Sequence, residues 1–328
     1  MASRRLMSNL LTRGRFASLL AMVLSLAVIV PVAAYPGSNG RIIFTENSTS
    51  STALWSIRPD GSGLRVVTIV QSSASRAFVT FPSVSADGSK LAVMLIEQFE
   101  KPVTCGQVVT DTCPSVVLMD SNGTNQRVIF SDARITSRAL ALSPDGSRVA
   151  LVLANSGRKG SGESVYLLHV NSARLSRLTK GSAVDSYPRW SPDGHTVSFD
   201  SNRDSAITGR SWSVFKVAVR GGKIGRLMPD SLGNDLYADW SPGGDRLTFV
   251  RTFSGPFEDA IYTVSRDGTD ARELVRSTST LGIPSFSPDG TDVAYTMGDQ
   301  LWLMDTEGGN RRALVTGARF GFTWLPGE

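Results

Sequence analysis

Histidine and cysteine are scarce in this chain of 328 residues, which contains two of each. The cysteines, Cys105 and Cys113, have no histidine nearby and cannot complete the four-ligand shell of a zinc site. No Gly-x-Ser-x-Gly, His-Glu-x-x-His, Walker or dinucleotide-binding pattern occurs that would indicate a hydrolase or a nucleotide enzyme. His169 and His195 stand at a strand end and directly after a turn, where solvated residues are common. The sequence therefore predicts no catalytic residue, metal site or cofactor.

A strong charge of one sign is also lacking in the body of the chain. The formal net charge is +5, but Arg4, Arg5, Arg13 and Arg15 supply four of these charges, and residues 1–34 contain no acid. The rest of the chain carries a formal charge of +1. This balance gives no electrostatic reason to expect binding to nucleic acid.

The longest apolar run, Phe16–Val30, is short for a membrane span, which needs about 20 residues. A basic segment precedes the run, Pro31 ends it, and Val32-Ala33-Ala34 offers the small residues that signal peptidase requires. Residues 1–34 are therefore predicted to be a signal peptide, with an uncleaved membrane anchor as the alternative. Cleavage would give a secreted or periplasmic protein without a membrane segment.

Cys105 and Cys113 form an even pair of closely spaced cysteines, which in an exported protein indicates a disulfide. In the chain-entropy description, closing so short a loop stabilises the fold by roughly 2–3 kcal/mol. The spacing is not that of a Cys-x-x-Cys redox pair. We expect a structural disulfide across one loop.

What the sequence has in abundance is one repeated phrase. An aromatic or apolar residue is followed by Ser-Pro-Asp-Gly or a variant of it, and then by alternating apolar residues. Proline fixes the backbone angle at the second turn position and glycine accepts a positive φ, so the phrase fits a type I turn between two strands. Alternation with a period of two predicts strands with one buried face. The copies are Phe81–Leu95, Ala139–Leu153, Tyr187–Asp204, Tyr237–Val250 and Ile283–Met297.

The repeat recurs at the spacing of a propeller blade. Asp87, Asp145, Asp193, Gly243 and Asp289 hold the equivalent turn position and are 46 to 58 residues apart. Each repeat also contains two further apolar segments, which makes four strands. The sequence thus predicts an all-β protein whose blades are four-stranded antiparallel sheets.

The two ends of the chain together supply one more blade. Arg41–Thr45, Ala53–Ile57 and Gly63–Val67 match the second, third and fourth strands of a blade, and Gly321–Pro326 matches the missing first strand. The C-terminal strand is therefore predicted to close the first blade, which removes an open sheet edge. Residues 35–328 then form one six-bladed β-propeller with no second domain.

The phrase x-Pro-x-Trp-Ser-Pro-Asp-Gly, best seen in Ser186–Asp204, resembles the TolB-like, or WD-repeat-like, β-propeller family. The opening Tyr35–Asn47 also resembles the start of secreted members. The resemblance implies an envelope or secreted binding platform. Periplasmic TolB carries a separate α/β domain before its propeller, used with partners of the Tol system, and this chain is expected to lack that domain.

A candidate ligand site follows from the expected position of the Trp-Ser-Pro strands. If these strands are innermost, the residues before each aromatic reach the mouth of the central channel, where opposite charges could hold an ionic peptide or a small ligand. The alternative is that these groups satisfy one another and the exposed backbone. The candidates are Asp185, Tyr187, Arg189, Asp235, Tyr237 and Arg319.

Together these features favour an exported, non-catalytic β-propeller that acts as a scaffold for a protein or peptide partner of the envelope or for a ligand. The alternative is a hydrolase, lyase or lactonase-type propeller enzyme with its site at the channel mouth. We expect a monomer without cofactor.

Overall fold

The computed structural model describes residues 38–46, 51–155, 162–205, 212–228, 233–253, 258–318 and 321–327. The predicted signal peptide, residues 1–34, and the candidate Arg319 lie outside these ranges. Within them, no helix has the length and apolar character needed to cross a bilayer.

The described residues form six four-stranded antiparallel sheets, which confirms the predicted six-bladed propeller. The strands of each blade are given from the channel outward. Blade 1 contains β24 (Phe322–Pro326), β1 (Asn39–Thr45), β2 (Ala53–Ile57) and β3 (Arg65–Ile69). Blade 2 contains β4 (Arg76–Val84), β5 (Lys90–Cys105), β6 (Val108–Asp120) and β7 (Arg127–Ser131). Blade 3 contains β8 (Ile135–Leu142), β9 (Arg148–Ala154), β10 (Glu163–His169) and β11 (Leu175–Arg177).

The other three blades follow the same order. Blade 4 contains β12 (Asp185–Trp190), β13 (Thr196–Ser201), β14 (Ser213–Ala218) and β15 (Gly225–Arg226). Blade 5 contains β16 (Asn234–Trp240), β17 (Arg246–Thr252), β18 (Asp259–Ser265) and β19 (Arg272–Ser277). Blade 6 contains β20 (Leu281–Phe286), β21 (Asp292–Met297), β22 (Gln300–Asp305) and β23 (Arg312–Thr316).

The C-terminal strand closes the ring as the sequence predicts. Trp324 of β24 is paired with Ile42 of β1. Across the junction with blade 6, the side-chain amide of Asn39 donates to a carboxylate oxygen of Asp289 at 2.9 Å, and the Asp289 N–H donates to the Asn39 Oδ1 at 3.2 Å. Trp324 and Ile42 share one buried cluster with Leu303 of blade 6. The first and last blades are therefore joined by both core packing and hydrogen bonds.

The aspartate of the repeated turn binds its own turn. In blade 4, Asp193 accepts from the Ser191 hydroxyl at 2.6 Å and from the His195 N–H at 2.9 Å. Asp87, Asp145 and Asp289 make the same pair of contacts in their own blades. In blade 5 the position holds glycine, and Asp245 accepts from the Ser241 hydroxyl instead. These contacts explain the repeated Ser-x-Asp without a metal ion.

Each tryptophan of the phrase joins its blade to the preceding one. The indole N–H of Trp190 donates to the Ala141 carbonyl of blade 3 at 3.0 Å. The corresponding group of Trp240 donates to the Ser198 hydroxyl of blade 4 at 3.1 Å. The tryptophans are thus packing residues between blades.

The predicted disulfide is present between Cys105 and Cys113, whose Cα atoms are 5.5 Å apart. The segment between them is a continuation of the β5–β6 hairpin, in which Cys105 pairs with Val108 across the turn. The disulfide therefore fastens the tip of a hairpin rather than an irregular loop.

Candidate functional site

The innermost strand of each blade is interrupted three residues before the aromatic of the phrase. At this position the backbone of blade 4 has a φ of 47°, on Tyr187, and the pairing of β12 with β13 shifts register between Ser186 and Arg189. A positive φ is uncommon for residues other than glycine and is strained for bulky ones. The equivalent residues, which we call the bulge ring, are Phe81, Ala139, Tyr187, Tyr237, Ile283 and Gly321.

The bulge ring fills the channel. The rings of Tyr187 and Tyr237 lie edge to face with centroids 4.4 Å apart, and their hydroxyls share a hydrogen bond. Phe81 of blade 2 contacts Tyr187 of blade 4 at a centroid distance of 5.9 Å, although blade 3 stands between them, because blade 3 contributes only Ala139. Aromatic side chains from non-adjacent blades therefore meet inside the channel.

On one side of the bulge ring the channel opens into a cavity of about 100 Å³ that all six innermost strands line. The prolines of the repeated turns surround its entrance, so we call it the turn-face cavity. Ile283 of the bulge ring also lines it. Its lining therefore extends from the turn prolines to the bulge ring. The turn prolines that line it are Pro144, Pro192, Pro242 and Pro288.

Among the described residues, one cationic side chain, Arg189, and one anionic side chain, Asp239, line the turn-face cavity. The Arg189 Nε and the Asp239 Oδ1 are 3.8 Å apart, which is longer than a hydrogen-bonded ion pair. Each side chain is about one-fifth exposed. Burial raises the pKa of Asp239, while the Arg189 charge and a hydrogen bond from the Ser285 hydroxyl act in the opposite direction. The Arg189 Nη1 donates to the backbone carbonyls of Pro188 and Leu140 at 3.0 and 3.5 Å. The guanidinium has further N–H groups that a ligand could meet.

Asp185 and Asp235 lie on the other side of the bulge ring and are 1% exposed. Asp185 accepts from the Ser201 hydroxyl and from the Arg203 guanidinium, each at 2.7 Å, and from Thr179. Asp235 accepts from the Arg251 guanidinium at 2.7 Å. Asp235 therefore links two strands of blade 5, and Asp185 links blade 4 to Thr179, whose hydroxyl also accepts from the Val165 N–H of blade 3.

A third carboxylate, Asp200, is fully buried between blades 4 and 5. Its two oxygens accept from the backbone N–H of Tyr237 at 3.0 and 3.1 Å. Burial raises the pKa of Asp200 well above its usual range, against the effect of the backbone N–H donors and of Arg189. Asp200 therefore fixes the backbone on which Tyr237 enters the bulge ring.

The sequence-predicted candidates thus fall into separate places. Arg189 lines the turn-face cavity, Tyr187 and Tyr237 form part of the bulge ring, and Asp185 and Asp235 lie beyond it, inside blades. Arg319 lies outside the described residues.

Asp200 is a residue that sequence reasoning missed. It lies in β13, directly after Phe199, and no spacing or motif distinguishes it from a surface aspartate. Its partner, the Tyr237 N–H, is 37 residues away in the chain.

The described residues hold no group of three or more histidine, cysteine, aspartate or glutamate side chains placed to bind a metal ion. His195 is exposed at its turn, and His169 is half-buried at the end of β10.

The chain resembles two curated proteins over about half of its length. It is 27% identical over 190 residues to an uncharacterised protein of Agrobacterium fabrum, covering 55% of this chain and 61% of that protein. It is 28% identical over 172 residues to a TolB homologue of Chlorobium luteolum, covering 51% of this chain and 36% of the homologue. The chain thus spans less than two thirds of the length of either relative.

Solved structures show the same fold. TolB from Acinetobacter baumannii superimposes with a TM-score of 0.68 at 23% identity, over 88% of this chain and 67% of that one. An oligogalacturonate lyase from Vibrio parahaemolyticus superimposes with a TM-score of 0.56 at 13% identity, over 83% and 73%. The TolB beta propeller domain matches residues 37–319. The chain therefore belongs to the TolB beta propeller family, which confirms the resemblance of the repeated Trp-Ser-Pro-Asp-Gly phrase.

Proposed function

We propose that this chain is an exported, non-catalytic propeller that binds a peptide or a small ionic ligand in the turn-face cavity, and so serves as a scaffold for a protein or peptide partner of the envelope. One observation carries the proposal. Arg189 and Asp239 line a channel cavity that extends from the turn prolines to Ile283 of the bulge ring, and at 3.8 Å they do not form a close ion pair with each other.

The size of the cavity restricts the ligand. A volume of about 100 Å³ is below the roughly 300–1,000 Å³ of common small-molecule sites. It has room for a side chain or a chain end, and the turn prolines would contact the residues that follow. Arg189 would bind a carboxylate and Asp239 an ammonium group, because each complements the opposite charge. A peptide inserted by its C-terminal carboxylate would pair with Arg189, and one inserted by its N-terminal ammonium group would pair with Asp239.

The remaining candidates have different parts in this proposal. Tyr187 and Tyr237 belong to the bulge ring, at which the cavity ends. They would position Arg189 from the side away from the turns. Asp185, Asp235 and Arg319 stay a separate prediction for the opposite mouth of the channel. Export is supported by the signal-like residues 1–34 and by the Cys105–Cys113 disulfide, a bond that persists in oxidising compartments.

The first test is affinity capture from envelope and culture-supernatant extracts with residues 35–328 as bait. A matched pair of baits separates the cavity from the rest of the surface. The cavity bait carries Arg189→Gln with Asp239→Asn, and the control carries Arg127→Gln with Asp111→Asn, which changes the same charges at exposed positions. A partner held by wild type and control but lost from the cavity bait supports the proposal.

The second test identifies the group that enters the cavity. Synthetic peptides from the captured partner are compared with free and with chemically blocked ends by isothermal titration calorimetry. Blocking the inserted end is expected to weaken binding by tenfold or more, since it removes about 1.5–3 kcal/mol of charge-assisted hydrogen bonding. Capture that survives the cavity substitutions would refute the cavity site. Turnover of a captured ligand would favour the lyase, lactonase or hydrolase alternative.

A further inference from the structure

Three arginines lie side by side at one end of blade 1. Ile42 of β1 is paired with Ile57 of β2, so the next residues outward, Arg41 and Arg58, oppose each other. On the adjacent strand, Arg65 of β3 is paired with Ser56. Like charges at opposing positions of a sheet are destabilising. We call Arg41, Arg58 and Arg65 the arginine cluster.

The guanidinium groups of Arg41 and Arg58 converge on the β2–β3 turn. The Nη1 atoms of Arg58 and Arg41 lie 2.9 and 3.4 Å from the point where a Cβ would stand on Gly63. Arg41 is held in place because its Nε donates to the Ser56 hydroxyl at 2.9 Å and its Nη2 donates to the carbonyls of Ser56 and Gly63. Arg41 is therefore a fixed donor beside Arg58, and the charge of Arg65 acts on it from the adjacent strand.

Positive charge exceeds negative charge around this turn. Burial lowers the pKa of Arg41, and the charges of Arg65 and Arg58 lower it further, with Asp60 acting in the opposite direction. The Asp60 carboxylate already accepts from the Ser62 N–H at 2.8 Å. A fourth arginine, Arg312 of blade 6, donates to the Pro59 carbonyl at 3.2 Å.

We propose that Arg41, Arg58 and Arg65 form a binding site for a phosphate- or sulfate-type oxyanion. Guanidinium groups match the geometry of such anions and bind them through paired N–H donors. Arg58 and Arg65 are exposed, so an anion carried by a larger molecule can reach them. A bound dianion would also remove the repulsion between Arg41 and Arg58. This site lies at the outer part of blade 1 and is independent of the turn-face cavity.

The test measures thermal unfolding and calorimetric binding with sodium phosphate and sodium sulfate, at an ionic strength held constant with sodium chloride. The cluster variant carries Arg58→Gln and Arg65→Gln and leaves Arg41 intact, because Arg41 holds the sheet through Ser56. The control variant carries Arg127→Gln and Arg174→Gln, two exposed arginines of other blades. The net-charge change is the same in both.

We expect phosphate or sulfate to raise the unfolding temperature of wild type and control, and binding to be weaker by tenfold or more in the cluster variant. Without anion, the cluster variant is expected to unfold at an equal or higher temperature than wild type, since it has lost like-charge repulsion. A cluster variant that binds the anion more weakly but unfolds at no lower temperature has lost the binding site and not the fold. Equal weakening in both variants would mean a net-charge effect and would overturn the site, as would a wild type that binds neither anion.

The source of the oxyanion is distinguished by vesicle sedimentation. Wild type and both variants are mixed with phosphatidylcholine vesicles that contain or lack phosphatidylglycerol. Sedimentation that needs both the anionic lipid and the arginine cluster would identify a lipid headgroup as the ligand. Stabilisation by free phosphate without sedimentation would identify a soluble phosphate or sulfate compound.

Discussion

Asp235 and Arg251 form an ion pair inside blade 5, with the carboxylate Oδ1 2.7 Å from the guanidinium Nε and side chains only 1% and 12% exposed. They are cross-strand neighbours on β16 and β17. The Arg251 guanidinium also lies over the ring of Tyr262, 4.8 Å from its centroid. The charge of Arg251 is therefore neutralised by Asp235 in a largely buried position.

Asp235→Ala is expected to destabilise the fold by about 3–5 kcal/mol, because it leaves the Arg251 charge buried without its partner. Urea unfolding at neutral pH measures the change. The double variant Asp235→Ala with Arg251→Met should recover much of the loss, since no unpaired charge remains. The control is Glu307→Ala, which removes a pair between the exposed side chains of Glu307 and Arg272 and should cost less than about 1 kcal/mol. Similar losses in both single variants would contradict the structural role of Asp235.

The inter-blade tryptophans allow a graded test of packing. Trp190→Phe removes the N–H that donates to the Ala141 carbonyl but keeps an aromatic ring, and blade 6 has Phe286 at the same position. We expect a cost of about 1–2 kcal/mol for Trp190→Phe and about 3–5 kcal/mol for Trp190→Ala, which leaves a cavity. Differential scanning calorimetry of both variants gives the comparison. A phenylalanine variant as unstable as the alanine variant would show that the hydrogen bond, not the ring, joins the blades.

Gly321 is the bulge-ring residue of blade 1 and, unlike the other five, has no side chain. Its φ is 110°, and a Cβ would stand 3.3 Å from the Cα of Phe81. Gly317 has a φ of 91° but no atom within 4 Å of its Cβ position, so it offers a matched control for backbone strain alone. Gly317→Ala should cost about 1 kcal/mol, and Gly321→Ala clearly more, because Phe81 must also move. Equal losses in urea unfolding would show that the ring is loosely packed.

The blades could be predicted because the causes of their hairpins are local. Proline and glycine at fixed turn positions, followed by alternating apolar residues, determine a hairpin wherever they occur in the chain. The pairing of Gly321–Pro326 with Arg41–Thr45 followed from counting strands, and the pairing of Trp324 with Ile42 confirms it. The disulfide followed from spacing and from the expected oxidising compartment.

The arrangement inside the channel could not be predicted because its causes are distant contacts. Nothing local makes Tyr187 adopt a positive φ. The strained backbone is maintained by packing against Phe81 and Tyr237, which are far away in sequence. For the same reason Asp235, predicted at the channel mouth, lies beyond the bulge ring with Arg251, a partner that only the strand register reveals.

Asp200 provides a test of the buried network through the pH dependence of stability. The pKa of Asp200 is raised on folding, first by burial, so the folded state binds more protons than the unfolded state between the two pKa values. Stability from this group is fully present below the unfolded pKa of about 3.9 and is lost as the pH rises through the folded pKa. Asp200→Asn cannot ionise and keeps one acceptor for the Tyr237 N–H. It should therefore become more stable relative to wild type as the pH rises.

The turn aspartate Asp193 is the control, because its pKa shifts on folding in the opposite direction to that of Asp200. Its pKa is lowered on folding, because the hydrogen bonds from Ser191 and His195 outweigh the effect of burial. Its stabilisation is present above the unfolded pKa and is lost as the pH falls, so Asp193→Asn should be most destabilised relative to wild type near neutral pH. Urea unfolding of wild type and both variants at about pH 4 and about pH 7.5 gives, for each variant, the slope with pH of its stability relative to wild type. Slopes of the same sign would mean that Asp200 is ionised in the folded protein, with Arg189 outweighing its burial.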